Sequence, residues 1–411
     1  MRWKYLDERV PQETEFRRAK VDAIDRWWQE FAAKRDDIMA AFSRHKEWDL
    51  PSWIIGQLEP IAPGIMWEFG PAEGGGYRLV LTPEHKRSLR PLVEEVVRRA
   101  PALDGWTFLA HRVPEPIDSA FEVIAGRTGA RLDDATVAVE VGPGRRLDVR
   151  MAGEFVRRSD DQRALGPAFV AIEVLAGEQR LNDWIGEITV MPARPARGLR
   201  RLFARGPAGE RPTDPIAHLC DLVEQAIESI RSTMPDRPLY ELDFDEGQEW
   251  VVYEGGGAAP DEDGCRHDVI IGTIFGKAMV DALAMRGSFA SERFSRCDET
   301  FAFVQIESRV DLSERVRERN RLMDAMDAAL RQRGCGCSIG GATGARYNYI
   351  DLALSDIDGA RTHLRDIVIA NDCSERSWLL FHDAVLAAEW IGLHPNAPHP
   401  PTGEANEGVC L

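Results

Sequence analysis

The sequence predicts an α+β protein of two folded parts, and three of its features carry that expectation. Apolar residues recur at three- and four-residue steps through a long segment near the start. Over residues 301–381 the period switches between two and 3.6, in the order β-α-β-β-α-β. A stretch rich in Pro, Gly and Arg around 194–211 falls between the two regions.

The leading helix is read from Val21, Ile24, Trp28, Phe31, Ile38 and Phe42, which line one stripe, with Arg35 in a slot the stripe would otherwise fill. Trp27 and Trp28 are adjacent and point about 100° apart on a helix, so only one is expected at the stripe's centre. Trp48, Trp53 and Trp67 follow; tryptophans at this density suit a core and equally an interaction surface. Strands are expected at 65–69 and 77–82 around the turn Gly74-Gly75-Gly76. Thr82-Pro83-Glu84 is expected to open a helix that reaches Arg99 and is stopped by Ala100-Pro101. A strand at 106–112 and a hairpin of 137–141 with 147–151, around Gly142-Pro143-Gly144, come next. The apolar run 169–175 reads as a central strand. These elements make a mixed α+β domain over 1–192 with an amphipathic helix at its front.

From Arg194 to Arg211 six arginines stand against the single acid Glu210, a local charge of +5 in a chain of −17. This segment is expected to be a linker, and with the helix at 216–231 it gives a connecting region over 193–239. The C-terminal domain, 240–393, holds a strand at 268–271 and a helix at 275–286. Then come a strand at 301–307, a helix at 312–333 stopped by Gly334, a short strand at 335–339 and a turn at 340–344. A strand at 347–354, a helix at 357–369 and a strand at 377–381 complete the ferredoxin-like order β-α-β-β-α-β. On the strand 347–354 the side bearing Tyr347, Tyr349 and Asp351 is expected to face away from the domain's helices, and Ile350 and Leu352 toward them. Residues 394–411 read as a flexible tail.

Two stretches, RLVLTPEHKRSLRPLVEEVVRRAPALDGWTFLAHRVPEP and GGATGARYNYIDLAL, resemble segments of an uncharacterised family of bacterial two-domain α+β proteins. Ala100, Pro101 and Trp106 are the matching residues of the first. The resemblance implies a fold and no activity.

The balance of 51 basic against 68 acidic residues repels phosphate backbones, so nucleic acid is not an expected partner. Seven cysteines at irregular spacing make no disulfide framework. With no apolar run of membrane-spanning length and no apolar leader, a cytoplasmic protein without membrane attachment is expected.

Chemistry-bearing motifs are weak. Gly272 to Gly276-Lys277 has three residues between its glycines and Ala278 after the lysine, where a phosphate loop needs four and a hydroxyl. No cofactor is therefore expected. Asp261, Glu262, Asp263, His267 and Asp268 fail the calcium-loop template. Cys335 and Cys337, with Cys265 and His267 at the same spacing, would complete a soft-metal site only if the two segments met, and the plainer expectation is no metal. His382 and Glu389 would share a face of a helix. No nucleophile-elbow or H-E-x-x-H motif occurs. The weak catalytic candidates are His267, Asp268, Tyr347, Tyr349 and Asp351; Asp351 would be either a carboxyl of raised pKa or the partner of an arginine such as Arg346. The resulting expectation is a non-enzymatic interaction or regulatory protein. It would bind a protein partner or itself through the tryptophan-rich helix or the sheet. The alternative is an enzyme of unknown class with a polar site in the cleft between the domains.

Overall fold

The computed structural model describes residues 2–7, 9–42, 47–156, 161–193, 211–244, 249–256, 266–285 and 288–401. Helix α1 spans Pro11–Phe42 and buries Ala23, Ile24, Trp27, Trp28, Phe31 and Ile38. Both tryptophans are buried although they point about 100° apart, because the helix is flanked on two sides. Trp28 meets Phe108 at 4.7 Å between ring centroids, and Trp27 meets Trp53 at 5.7 Å. Trp53 lies on α2, Leu50–Leu58, whose N-cap Asp49 accepts the Ser52 N–H. Strands β1, Met66–Pro71, and β2, Tyr77–Thr82, follow. Thr82-Pro83-Glu84 does not open a helix. Thr82 Oγ1 caps the Glu84 N–H, but Glu84 takes φ 49°, so the chain turns, and α3 forms only at Arg90–Arg98. Strand β3 is Trp106–Leu109.

Helix α4, Ile117–Thr128, ends at Gly129 in the left-handed region. Strands β4, Thr136–Val141, and β5, Leu147–Gly153, form the expected hairpin. The apolar run at 169–175 is not a strand but the second half of α5, Asp161–Ala176. Its buried Ala164, Ala168, Ala171, Ile172 and Leu175 recur at helical steps, and the run is apolar on most sides because α4, α7 and the sheet all press on it. Helix α6, Glu178–Asp183, strand β6, Ile185–Pro192, strand β7, Asp214–Pro215, and helix α7, Leu219–Ser232, complete this part. Of the expected linker only Arg211 is among the described residues.

Strands β8, Trp250–Glu254, and β9, Val269–Phe275, precede helix α8, Lys277–Ala284. Then come β10, Thr300–Glu307, α9, Leu312–Arg333, β11, Gly336–Gly344, β12, Tyr347–Leu354, α10, Ile357–Ala370, β13, Ser377–Phe381, and β14, Trp390–Gly392. The chain is thus α+β. Gly340–Gly344 is not a turn. Strand β11 runs through it, and only Ala345 and Arg346 separate β11 from β12. Its glycines are set by close approach: a Cβ on Gly340 would strike the Thr273 carbonyl, and one on Gly344 the Asp268 carboxylate.

Three sheets form among the described residues, in the orders β1-β2-β3, β6-β5-β4-β7 and β14-β13-β10-β12-β11-β9-β8. In the last, β10 lies antiparallel between β12 and β13, and β11 lies antiparallel to both β12 and β9. Two compact units result. One comprises Met1–His111, Val252–Ile274 and Thr300–Leu411, the other Arg112–Val251 and Phe275–Glu299. This division crosses the expected boundaries at 192, 239 and 393. The first hundred residues form their own three-stranded sheet but belong to the same compact unit as the seven-stranded one, a long-range association that local sequence pattern does not record. Their backbone is anchored there: Glu389 accepts the N–H groups of Trp3, Lys4 and Tyr5.

Helices α9 and α10 cover one face of the seven-stranded sheet. Ile350, Leu352 and Leu354 pack there with Leu322, Met326, Leu330, Leu364 and Val368. Phe303, Tyr347, Tyr349 and Trp378 lie together on the opposite face with Val269 and Ala342, so the tyrosine side of β12 does point away from the helices.

Candidate functional site

The face away from α9 and α10 carries a buried polar cluster, wholly within the first unit. Strand β12 supplies Asp351, fully buried. Arg266 arrives from the turn before β9, with its backbone in the left-handed region at φ 58°. Its guanidinium grips Asp351 through both terminal nitrogens, Nη2 to Oδ2 at 3.1 Å and Nη1 to Oδ1. Nη2 also donates to the Tyr253 hydroxyl at 2.6 Å, from β8. The guanidinium lies over the Phe303 and Tyr349 rings, 5.2 and 5.1 Å from their centroids. His382, directly after β13, places Nε2 3.0 Å from Asp351 Oδ1 and its ring 4.8 Å from that of Phe303.

A second carboxylate stands beside this pair. Asp268 Oδ2 accepts the N–H groups of Arg346 and Tyr347 at 2.8 and 3.0 Å, and Oδ1 accepts the Tyr349 hydroxyl at 2.5 Å. It thereby fixes the two-residue turn into β12. Tyr347 accepts a hydrogen bond from Arg376 Nη2 at 3.1 Å.

The electrostatics follow from burial and pairing. Burial alone would raise the Asp351 carboxyl, but the Arg266 guanidinium and the His382 hydrogen bond outweigh it and hold the group far below the usual carboxylate range. The expected raised pKa is therefore corrected, and the arginine partner is Arg266 rather than Arg346, which pairs with Glu307. Burial lowers the His382 imidazole, with Asp351 opposing, so His382 is neutral at neutral pH. Burial likewise raises the Tyr253 hydroxyl.

Of the sequence candidates, Asp268, Tyr347, Tyr349 and Asp351 come together in one network; His267 sits half-buried in the turn beside Asp268. Chemically the network locks four strands in register: its acids are accepting and its tyrosine hydroxyls are engaged. The His382–Glu389 pairing is corrected. Residues 384–386 form one short 3-10 turn in place of a helix, Glu389 binds the N-terminal backbone, and His382 belongs to Asp351.

The thiol pair does not reach His267. Cys337 pairs with Ala353, whereas Gly344, seven residues further along β11, pairs with Val269 next to Asp268. At about 3.3 Å per residue the two ends lie roughly 20 Å apart. Cys265 is outside the described residues, and among those described no three His, Cys, Asp or Glu side chains converge on a metal position.

Sequence reasoning missed Arg266, Tyr253 and the role of His382. A signal existed for His382, a lone histidine closing an apolar strand. None existed for Arg266, which follows the acidic segment at 261–263. No family model, no curated protein and no solved structure matches the chain.

Proposed function

We propose that this chain is a non-enzymatic, cytoplasmic interaction protein built on a ferredoxin-like core extended at both sheet edges, and that it shares this plan with the bacterial family its sequence resembles. The carrying observation is an exposed apolar strip beside α9. Thr343 Oγ1 accepts from Arg319 on α9, so it faces the helices, and its register partner Ile271 shares that face. Tyr253 reaches Arg266 on the other face, so by alternation Val252 also lies on the helix side. Helix α9 stops short of these outer strands. Ile271 is 40% exposed, Val252 62% and Val316 of α9 39%. Among the described residues strand β8 ends the sheet and no strand pairs with its outer edge, which gives a partner segment an edge as well as an apolar floor.

The surfaces first expected to bind are engaged within the chain: the tryptophans of α1 lie in a core, and the tyrosine side of β12 is buried. The enzymatic alternative keeps one favourable feature, an aspartate-oriented histidine. It is weakened because Asp351 is fully buried and already neutralised by Arg266. Among the described residues no helix is long and apolar enough to cross a membrane.

The test is Ile271→Asp combined with Val252→Asp. Sedimentation velocity over a concentration range reads self-association, and cross-linking in cells followed by mass spectrometry reads other partners. Loss of either with an unchanged Tm supports the proposal. Wild-type behaviour of the double variant in both assays sinks it.

A further inference from the structure

Each sheet has two edge strands, and among the described residues all but one of these edges are blunted. On β14 the Leu393 N–H donates to the Ser377 carbonyl, so by alternation Trp390 and Gly392 turn their carbonyls outward. Arg2 Nη2 takes the first at 2.9 Å, and Arg365 Nε takes the second at 2.9 Å. On β6 Arg146 Nε takes the Ile185 carbonyl at 3.1 Å, and Arg211 Nη1 takes the Pro192 carbonyl at 2.8 Å. Strand β7 is only Asp214–Pro215, and β1 closes in Gly70-Pro71. Strand β3 is short, and Arg90 holds the Ala110 carbonyl just beyond it.

Strand β8 has none of these devices. Its residues, Trp-Val-Val-Tyr-Glu, include no Gly, Pro, Lys or Arg. The Gly255 N–H donates to the Ile270 carbonyl at 3.0 Å, and the Gly276 N–H donates to the Glu249 carbonyl at 2.8 Å. By alternation Val251 and Tyr253 also bond β9, while Trp250, Val252 and Glu254 turn their N–H and C=O groups outward. No described residue meets those groups, and the same three side chains are exposed.

We propose that β8 is the two-fold interface of a homodimer, pairing antiparallel with β8 of a second copy about an axis at Val252. This register engages all three outward residues of each strand. Val252 opposes Val252 of the second copy, Trp250 opposes its Glu254, and each such pair exchanges two N–H···O bonds. The charges favour the same register. Glu254 is the strand's one charged side chain. About Val252 the two glutamates stand four residues apart along the strands, roughly 13 Å at 3.3 Å per residue, beyond the screening length of about 10 Å at 0.1 M salt. A register centred on Glu254 would set the two carboxylates face to face. Pairing at Val252 also joins the apolar strips of Ile271 and Val252 from the two copies and covers both Val252 side chains. The inference rests on the reading of that strip as a binding surface and names its occupant.

The experiment is sedimentation velocity of the full chain over a range of concentrations. Wild type should sediment as a dimer that dissociates on dilution. Val252→Lys and Val252→Glu should each sediment as a monomer, because the new charge meets its own copy at the axis. An equimolar mixture of the two variants should restore the dimer, since lysine then faces glutamate. Hydrogen exchange of the wild type gives a readout without substitution. The Val252 and Glu254 amides should exchange more slowly as concentration rises, while that of Tyr253, already bonded to β9, stays constant. Wild type that is monomeric at every concentration overturns the proposal. If cross-linking in cells then still captures a partner that the combined Ile271→Asp and Val252→Asp variant loses, the strip stands as a binding surface with a different occupant. A dimer that Val252→Lys leaves intact, a mixture that stays monomeric, or equal exchange behaviour of the three amides overturns the proposal as well.

Discussion

Arg266 and Asp351, 85 residues apart in sequence, form a two-pronged ion pair in which the arginine backbone is held in the left-handed region. That conformation costs a non-glycine residue roughly 1–2 kcal/mol. It persists because the side chain it aims satisfies a fully buried carboxylate and lies over two aromatic rings. Truncating either partner strands the other charge. Asp351→Ala should therefore destabilise the chain by about 3–5 kcal/mol, and Arg266→Met by a similar amount. The double variant Arg266→Met with Asp351→Leu should lose less than the sum of the two. Urea unfolding of the three variants measures this, and additive losses would refute the coupling.

The elements that were legible in the sequence are those whose evidence is local. Helix α9 runs Leu312–Arg333 as expected, since its apolar residues keep a helical spacing and Gly334 stops it in the left-handed region. Strand β12 was legible down to its two faces, because alternation of Tyr347, Tyr349 and Asp351 with Ile350 and Leu352 is itself the signal of a strand between unlike layers. Helix α5 was not: an apolar run pressed from several directions shows neither period. The glycines of β11 were read as punctuation, although they mark close approach. Of the Arg266–Asp351–His382 cluster only Asp351 was singled out from sequence as a site candidate, and its partners were not. The cluster depends on the order β13-β10-β12-β11-β9-β8, which brings together segments that no local pattern relates.

Stability should fall on the acid side in two stages. His382 has a folded pKa below its ordinary value, so from about pH 6.5 downward the unfolded chain binds the extra proton and the fold weakens. Asp351 has a folded pKa far below the unfolded value near 3.9. Its contribution is complete above that pH and is lost as pH falls further. His382→Gln should flatten the first stage and leave the second. Urea titrations between pH 8 and about pH 2 read both; an unchanged slope between about pH 6.5 and pH 5 in the variant would show that another group carries the first stage.

Asp268 is predicted to be structural. Asp268→Asn replaces one carboxylate oxygen with a donor that faces either backbone N–H groups or the Tyr349 hydroxyl, and should cost about 1–3 kcal/mol. Gly344→Ala should destabilise through the same group, because its Cβ would meet the Asp268 carboxylate. Hydrogen exchange at the Arg346 and Tyr347 amides checks the mechanism: both should exchange faster in Asp268→Asn, and full protection would contradict it.

The N-terminal segment should be an integral part of the first unit. Glu389 is buried and accepts three successive backbone N–H groups, from Trp3 at 2.6 Å and from Lys4 and Tyr5 at 2.9 Å. Around this anchor Arg2 lies 3.9 Å over the Trp390 ring, and Tyr5 stacks on Phe381 at 4.9 Å. Removing residues 1–7 would take from the Glu389 carboxylate its three backbone donors together with the packing of Trp3 and Tyr5, a loss of up to about 3–5 kcal/mol on the scale of a broken buried pair. Glu389→Gln in the full chain keeps the shape but turns an N–H toward other N–H groups, and should cost about 1–3 kcal/mol. The two changes should interact. In the truncated chain Glu389→Leu should recover part of the lost stability, since it removes the orphaned charge, whereas in the full chain the same substitution should destabilise. Chemical unfolding of the four proteins decides the matter: if Glu389→Leu destabilises both backgrounds equally, the carboxylate is not serving the N-terminal backbone.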